Sequence, residues 1–159
     1  MNVSSAQDTA KRWFGGLTSG DINTALACLD ANVEWINYRI EAGYNDLMPW
    51  IGTYHGVEAV LNSFRIFTSL VQVNKEELIK LVVDGDEAAG VIHEVSVVKE
   101  TGLEFEIEFI QWLTIREGKI VRWKSYTDPS PILRALGPLA ARSIADFAKA
   151  KAGTTNPAD

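Results

Sequence analysis

The feature that most constrains this chain is a change of hydrophobic period at Leu70. Before it, apolar residues recur every three to four positions, as on helices with one buried face. After it they alternate, as on strands with one buried face. In the first part Ala6, Ala10, Trp13, Phe14 and Leu17 form one helical stripe, with Ser5 and Asp8 as its N-terminal signal. Ser19-Gly20-Asp21 ends that helix and caps a second, whose stripe is Ile22, Ala25, Leu26 and Leu29. Residues 33 to 39 read as a strand. Residues 40 to 55 hold Gly43, Asn45, Asp46, Pro49 and Gly52 and read as a long loop or lid. Gly56 opens a third helix with Val57, Val60, Leu61, Phe64 and Phe67 on one face.

Beyond Leu70 the alternation predicts four strands, over residues 73–83, 88–99, 103–115 and 119–126. Asp84-Gly85-Asp86, Glu100-Thr101-Gly102 and Glu117-Gly118 join them as hairpin turns. Asp128-Pro129-Ser130-Pro131 then stops the sheet and starts a C-terminal helical segment, with Pro131 suited to its first turn. Gly137-Pro138 is expected to break that segment, which resumes with Leu139, Ala140, Ile144 and Phe147. Helices followed by an antiparallel meander make an α+β fold. A curved antiparallel sheet wrapped around the N-terminal helices is a cone with a hole in it. With 159 residues the chain reads as a single domain over 1–151, and its small polar tail, 152–159, reads as disordered.

Composition excludes several functions. Lys and Arg number 15 against 21 Asp and Glu, a net charge of −6, and there is no basic run. The footprint of a nucleic-acid or anionic-membrane binder is missing. No apolar run approaches the roughly 20 residues of a membrane span. The first residues lack the basic and apolar regions of a signal peptide, so the expected location is cytoplasmic. A single cysteine, Cys28, excludes an internal disulfide and a thiolate zinc cluster and reads as a buried thiol. Two histidines without a carboxylate at ligand spacing predict no metal. No phosphate-cradling glycine loop is present, Gly15-Gly16 lying inside a helix, and no cofactor is expected. Five tryptophans are the costly feature, because a buried indole N–H needs a partner.

One strand is informative about layering. Val91, His93, Val95 and Val97 share one parity; Ile92, Glu94, Ser96 and Val98 share the other. The mixed face suits a pocket wall, and the mostly apolar face suits a covering layer from a second copy of the chain. A homodimer is therefore expected. In the next strand Glu104, Glu106 and Glu108 belong on a solvated face, with Phe105, Ile107 and Phe109 inside.

Four strings carry a family resemblance: Trp13-Phe14-x-x-Leu17-x-x-Gly20-Asp21, Leu29-Asp30-Ala31-Asn32-Val33-Glu34-Trp35, Tyr54-His55-Gly56-Val57-Glu58-Ala59-Val60, and Glu117-Gly118-Lys119-Ile120-Val121-Arg122-Trp123-Lys124-Ser125-Tyr126. In this order they resemble the nuclear-transport-factor-2-like superfamily and, within it, the SnoaL-like group, across about residues 5 to 131. The resemblance implies a cone-shaped, often dimeric fold with a deep pocket. It covers isomerases, epoxide hydrolases, polyketide cyclases, dehydratases and proteins that only bind. Against ketosteroid isomerases, Trp13 falls at the catalytic tyrosine, Trp35 at the general base and Gln111 at the neutral acid. Against limonene-epoxide hydrolases, Trp35 falls at a tyrosine, Asn37 keeps an asparagine, Glu94 and Ser96 fall near an arginine and an aspartate, and Ser125 replaces the second aspartate. The catalytic sets of these relatives are thus not kept.

The candidate site follows from both readings. Trp13, Trp35, Phe64, Phe109 and Trp123 would line a pocket, with Asn37, Ser96, Gln111 and Ser125 as polar contacts. Glu94 is the candidate acid or base, since burial raises a carboxyl pKa; a salt-bridged carboxylate is its structural alternative. His55 is a second candidate, with a loop hydrogen bond as its alternative. Tyr38, Tyr44, Tyr54 and Trp50 belong to the lid. The expected partner is a small hydrophobic molecule, acted on by an isomerase, cyclase, dehydratase or hydrolase. The alternative is a non-catalytic dimerisation or scaffolding module.

Overall fold

The computed structural model describes residues 3–139. Its elements are α1 (Val3–Ser19), α2 (Ile22–Ala27), β1 (Leu29–Asn37), β2 (Gly52–His55), α3 (Val57–Leu70), β3 (Val71–Asp84), β4 (Glu87–Val98), β5 (Glu104–Arg116) and β6 (Lys119–Tyr126). A fourth helix, α4, follows over 130–139. The fold is the expected α+β cone. One six-stranded sheet runs in the order β2-β1-β6-β5-β4-β3. Its one parallel pair is β1 against β6, which brings Trp35 level with Trp123. α1 crosses β3 to β6, and α3 crosses β1 and β3.

Several local expectations change. Ser5 is inside α1, which starts two residues earlier at Val3. Asp21 caps α2 as expected, accepting from the Thr24 amide, but Leu29 belongs to β1. The long loop contains a strand: β2 pairs with β1, Tyr54 opposite Trp35. At four residues, on an edge and starting in a glycine, it is too short for alternation to show. α4 runs through Gly137-Pro138 to 139 without a break. Ile132 and Leu136 are buried and Leu139 packs beside them, so tertiary contacts on both sides hold the helical path. Ala140, Ile144, Phe147 and the tail 152–159 lie outside the described residues.

Two apolar clusters share the interior. One joins Trp13, Phe14, Val33, Ile92, Leu113 and Ile120. The other joins Met48, Trp50, Val71, Val98, Phe105 and Leu136. Phe109 packs against both. The first depends on Gly90 of β4, where a Cβ would stand 2.2 Å from Phe14 Cζ. Only a glycine lets α1 approach the sheet there. Gly56, at φ 84°, takes the left-handed turn into α3, and its amide donates to the Val33 carbonyl at 2.9 Å.

The parity of β4 and β5 is as expected. Ile92, Glu94, Ser96 and Val98 are buried, while Val91, His93, Val95 and Val97 lie half-buried on the outer face. Glu104, Glu106 and Glu108 are exposed. On that outer face His93 Nε2 meets Glu106 Oε1 at 2.6 Å. Cys28 is buried, as expected.

Candidate functional site

A cavity of about 340 Å³ lies between α3, the inner face of the sheet and the segment after β1. That is the lower part of the range for small-molecule sites, about 300–1,000 Å³. Of the expected residues, Trp35, Asn37, Phe64 and Phe109 line it. Glu94, Gln111, Trp123 and Ser125 line it from β4, β5 and β6.

Three expected residues stand elsewhere. Trp13 does not line the cavity: α1 places it behind the wall, where its Nε1 donates to Gln111 Oε1 at 2.7 Å. Ser96 also stands behind the lining, its hydroxyl donating to Glu94 Oε1 at 2.6 Å. His55 ends β2 on the exposed surface, away from the cavity, because the β1–β2 pairing turns it outward opposite Glu34.

The tryptophans are a packed system. Trp35 and Trp123 stack with ring centroids 3.6 Å apart and planes 2° from parallel, as their register requires. Trp13 and Phe64 meet Trp35 edge-on, at 5.8 Å and 5.3 Å. Trp123 Nε1 donates to Gln111 Oε1 at 3.0 Å, so one carboxamide oxygen accepts two indoles. Two donors at one end fix the orientation of the amide. Its nitrogen is left for the cavity. Trp35 Nε1 is buried with no partner among the described residues. Trp50 lines the cavity from the lid, and Trp112 is on the outer face, 43% exposed.

Glu94 is not alone. Glu76 of β3 also lines the cavity and sits directly opposite Glu94 in the β3–β4 ladder. Facing residues of an antiparallel pair have Cβ atoms about 5 Å apart, so the carboxyl groups share one space. Burial chiefly pushes the Glu94 pKa up, against the Ser96 hydrogen bond, which lowers it. Burial and the neighbouring Glu94 push Glu76 up to about 8. Near neutral pH the pair therefore holds a proton. Tyr38 is the third ionisable group here. Its backbone is left-handed, φ 54°, a strained path for a non-glycine residue. The ring enters the cavity, hydrogen-bonds with Ser125, and burial pushes its pKa up to about 12.

Glu76 is the cavity residue that alternation missed. β3 contains two register shifts, between Val73 and Lys75 and between Leu78 and Lys80. Each shift resets which parity points inward. The usable signal was local: Glu76 shares parity with Leu78, which packs on the core.

Residues 10–123 match the family model for the SnoaL-like domain. No curated protein matches the sequence. Among solved structures, the chain is similar to an NTF2-like protein from Burkholderia xenovorans LB400, at 24% identity and TM-score 0.69, covering 86% of this chain and 98% of that one. It is similar to an NTF2-like protein of unknown function from Burkholderia pseudomallei K96243, at 15% identity and TM-score 0.73, over 86% and 98%. It is also similar to a putative SnoaL-like polyketide cyclase from Mesorhizobium loti, at 19% identity and TM-score 0.63, over 80% and 100%. At these identities the likeness establishes the fold.

Proposed function

Starting from a chain that belongs to the SnoaL-like family, we propose that its cavity binds a small, mostly apolar organic molecule and transfers a proton on it. A polyketide, terpenoid, steroid or aromatic skeleton suits the apolar wall. The observation that carries this reading is Glu94: a carboxyl group 6% exposed, in an aromatic cavity, with its pKa raised by burial. Such a group can give or take a proton near neutral pH. Gln111 presents amide hydrogens to a developing oxyanion, and Asn37 lines the same space. The polyketide-cyclase relative supports a substrate of that type. The isomerase and hydrolase sets are not kept: Trp35 is at the base position of one and Ser125 at an acid position of the other.

The test is intrinsic tryptophan fluorescence titrated with a panel of hydrophobic ligands, followed by turnover assays on those that bind. Quenching or a spectral shift is expected, since Trp35, Trp50 and Trp123 line the cavity. Glu94→Gln is expected to abolish turnover and Glu104→Gln, on the solvated face, to keep it. Equal activity in both variants would remove Glu94 from the mechanism.

A second reading, a homodimeric module without chemistry, has its own observation. Ile110, Trp112 and Tyr126 are 39%, 43% and 46% exposed on the outer side of β5 and β6, and Ile110 pairs with Tyr126. A neighbouring apolar patch of that kind suits a second copy of the chain. Dimerisation through this patch leaves the cavity free, because the patch and the cavity are on opposite faces of the sheet.

A further inference from the structure

We propose that the cavity selects an organic ammonium ion, with the Glu76–Glu94 pair as its counter-charge and the aromatic wall as its cage. This rests on the reading of the cavity as a small-molecule site and names the class of molecule. Two carboxyl groups face each other across the β3–β4 ladder, and no basic side chain among the described residues pairs with them. The ion pairs among the described residues join Arg39 to Glu41, Lys75 to Glu77, His93 to Glu106 and Arg122 to Glu34. The one basic residue lining the cavity, Arg65 of α3, is exposed. A second buried charge beside the first is costly without a cation. A neutral ligand can take a proton or a hydrogen bond from one acid, but it leaves the other carboxylate uncompensated. With one proton held by the pair, a cation balances the single charge that remains.

The wall agrees with that charge. Trp35, Trp50, Phe64, Phe67, Phe109 and Trp123 all line the same space. Ring faces carry the negative lobe of the aromatic quadrupole and attract alkylated ammonium groups, whose hydration is weak. A second observation points to a ligand independently of the acids. Gln111 is 3% exposed, its oxygen is occupied by two indoles, and its Nε2 has no partner among the described hydrogen bonds. Its nitrogen calls for an oxygen on the same molecule. Gln111 stands opposite Gly90, four residues along β4 from Glu94 and so about 13 Å of strand away. The ligand therefore carries its ammonium and its oxygen at opposite ends.

Binding a cation favours the ionised carboxylates, so affinity should rise with pH and binding should release protons. The charged or titratable groups that face the pair are Glu94 from β4, Glu76 from β3, Tyr38 after β1 and Arg65 from α3. β5 and β6 contribute Phe105, Ile107, Phe109 and Ser125, which do not titrate.

The experiment titrates the native protein at pH 8 with phenyltrimethylammonium and with its uncharged isostere tert-butylbenzene, read by tryptophan fluorescence. The expected result is at least tenfold tighter binding of the cation, with affinity rising between pH 6 and 9 for the cation alone. Glu76→Gln and Glu94→Gln, checked for native folding by circular dichroism, should each weaken the cation at least tenfold and leave tert-butylbenzene within twofold. If tert-butylbenzene binds the native protein as tightly as the cation, the ammonium proposal is overturned while the apolar small-molecule site stands. If neither probe binds, both readings fall. The native-protein comparison decides the matter even if a variant does not fold.

Discussion

Glu76 and Glu94 stand opposite each other on neighbouring antiparallel strands, both turned into one aromatic cavity. Like charges in facing positions normally destabilise a sheet. A fold that keeps such a pair inside pays a stability penalty that depends on pH.

The direction of that dependence follows from the shift. Glu76 titrates near 4.5 when unperturbed and at about 8 in the fold, so the folded state holds its proton more tightly. The resulting stability is fully present below about pH 4.5 and is lost as pH rises toward 8. Thermal melts should therefore show a falling Tm between pH 5 and 8.5. Glu76→Gln should flatten that slope, and a slope unchanged in the variant would assign it to another group.

The Gln111 carboxamide has a separate, structural task. Gln111→Leu would leave the indole N–H groups of Trp13 and Trp123 buried without an acceptor. At about 1–3 kcal/mol for each of the two orphaned donors, the expected loss is roughly 2–6 kcal/mol. Urea denaturation measures it. Gln72→Leu, at an exposed position of β3, is the control and should change little.

Close approach of α1 to the sheet makes Gly90 the least replaceable residue in β4. Gly90→Ala drives a methyl group into the Phe14 ring, with an expected cost of about 1–3 kcal/mol. Adding Phe14→Leu should recover part of that loss, because the two changes share one contact. Independent, additive losses in the double variant would show that the ring is not what the methyl group meets.

These positions also show how far the sequence could be read. Alternation in β4 separated Glu94 and Ser96 from His93 and Val95 correctly, because that strand has no irregularity in its pairing with β5. It failed in β3, where two register shifts hide Glu76, and in β2, which is only four residues long. The sequence assigns Tyr38 to a lid. Its place beside Ser125 depends on a left-handed backbone that a tyrosine does not advertise. The five tryptophans signalled an aromatic interior, but Trp13 proved to support the wall through Gln111. Only the three-dimensional contacts separate a residue in the wall from one behind it.

The outer face gives a prediction about assembly. Multi-angle light scattering at micromolar concentration should give twice the 17.5 kDa chain mass. Trp112→Lys, on the exposed side of β5, should shift the protein toward the monomer. A native monomer under these conditions would contradict the homodimer.

The central claim is that the facing acid pair, buried Glu94 and half-buried Glu76, is the chemical centre of the cavity. Carbon-detected NMR titration of the glutamate carboxyl carbons tests it most directly. One carboxyl, Glu76, should titrate near pH 8 and move down in Glu94→Gln, while burial keeps it above the ordinary range. Titration of every glutamate in the native protein within the ordinary range, near 4.5, would contradict the account.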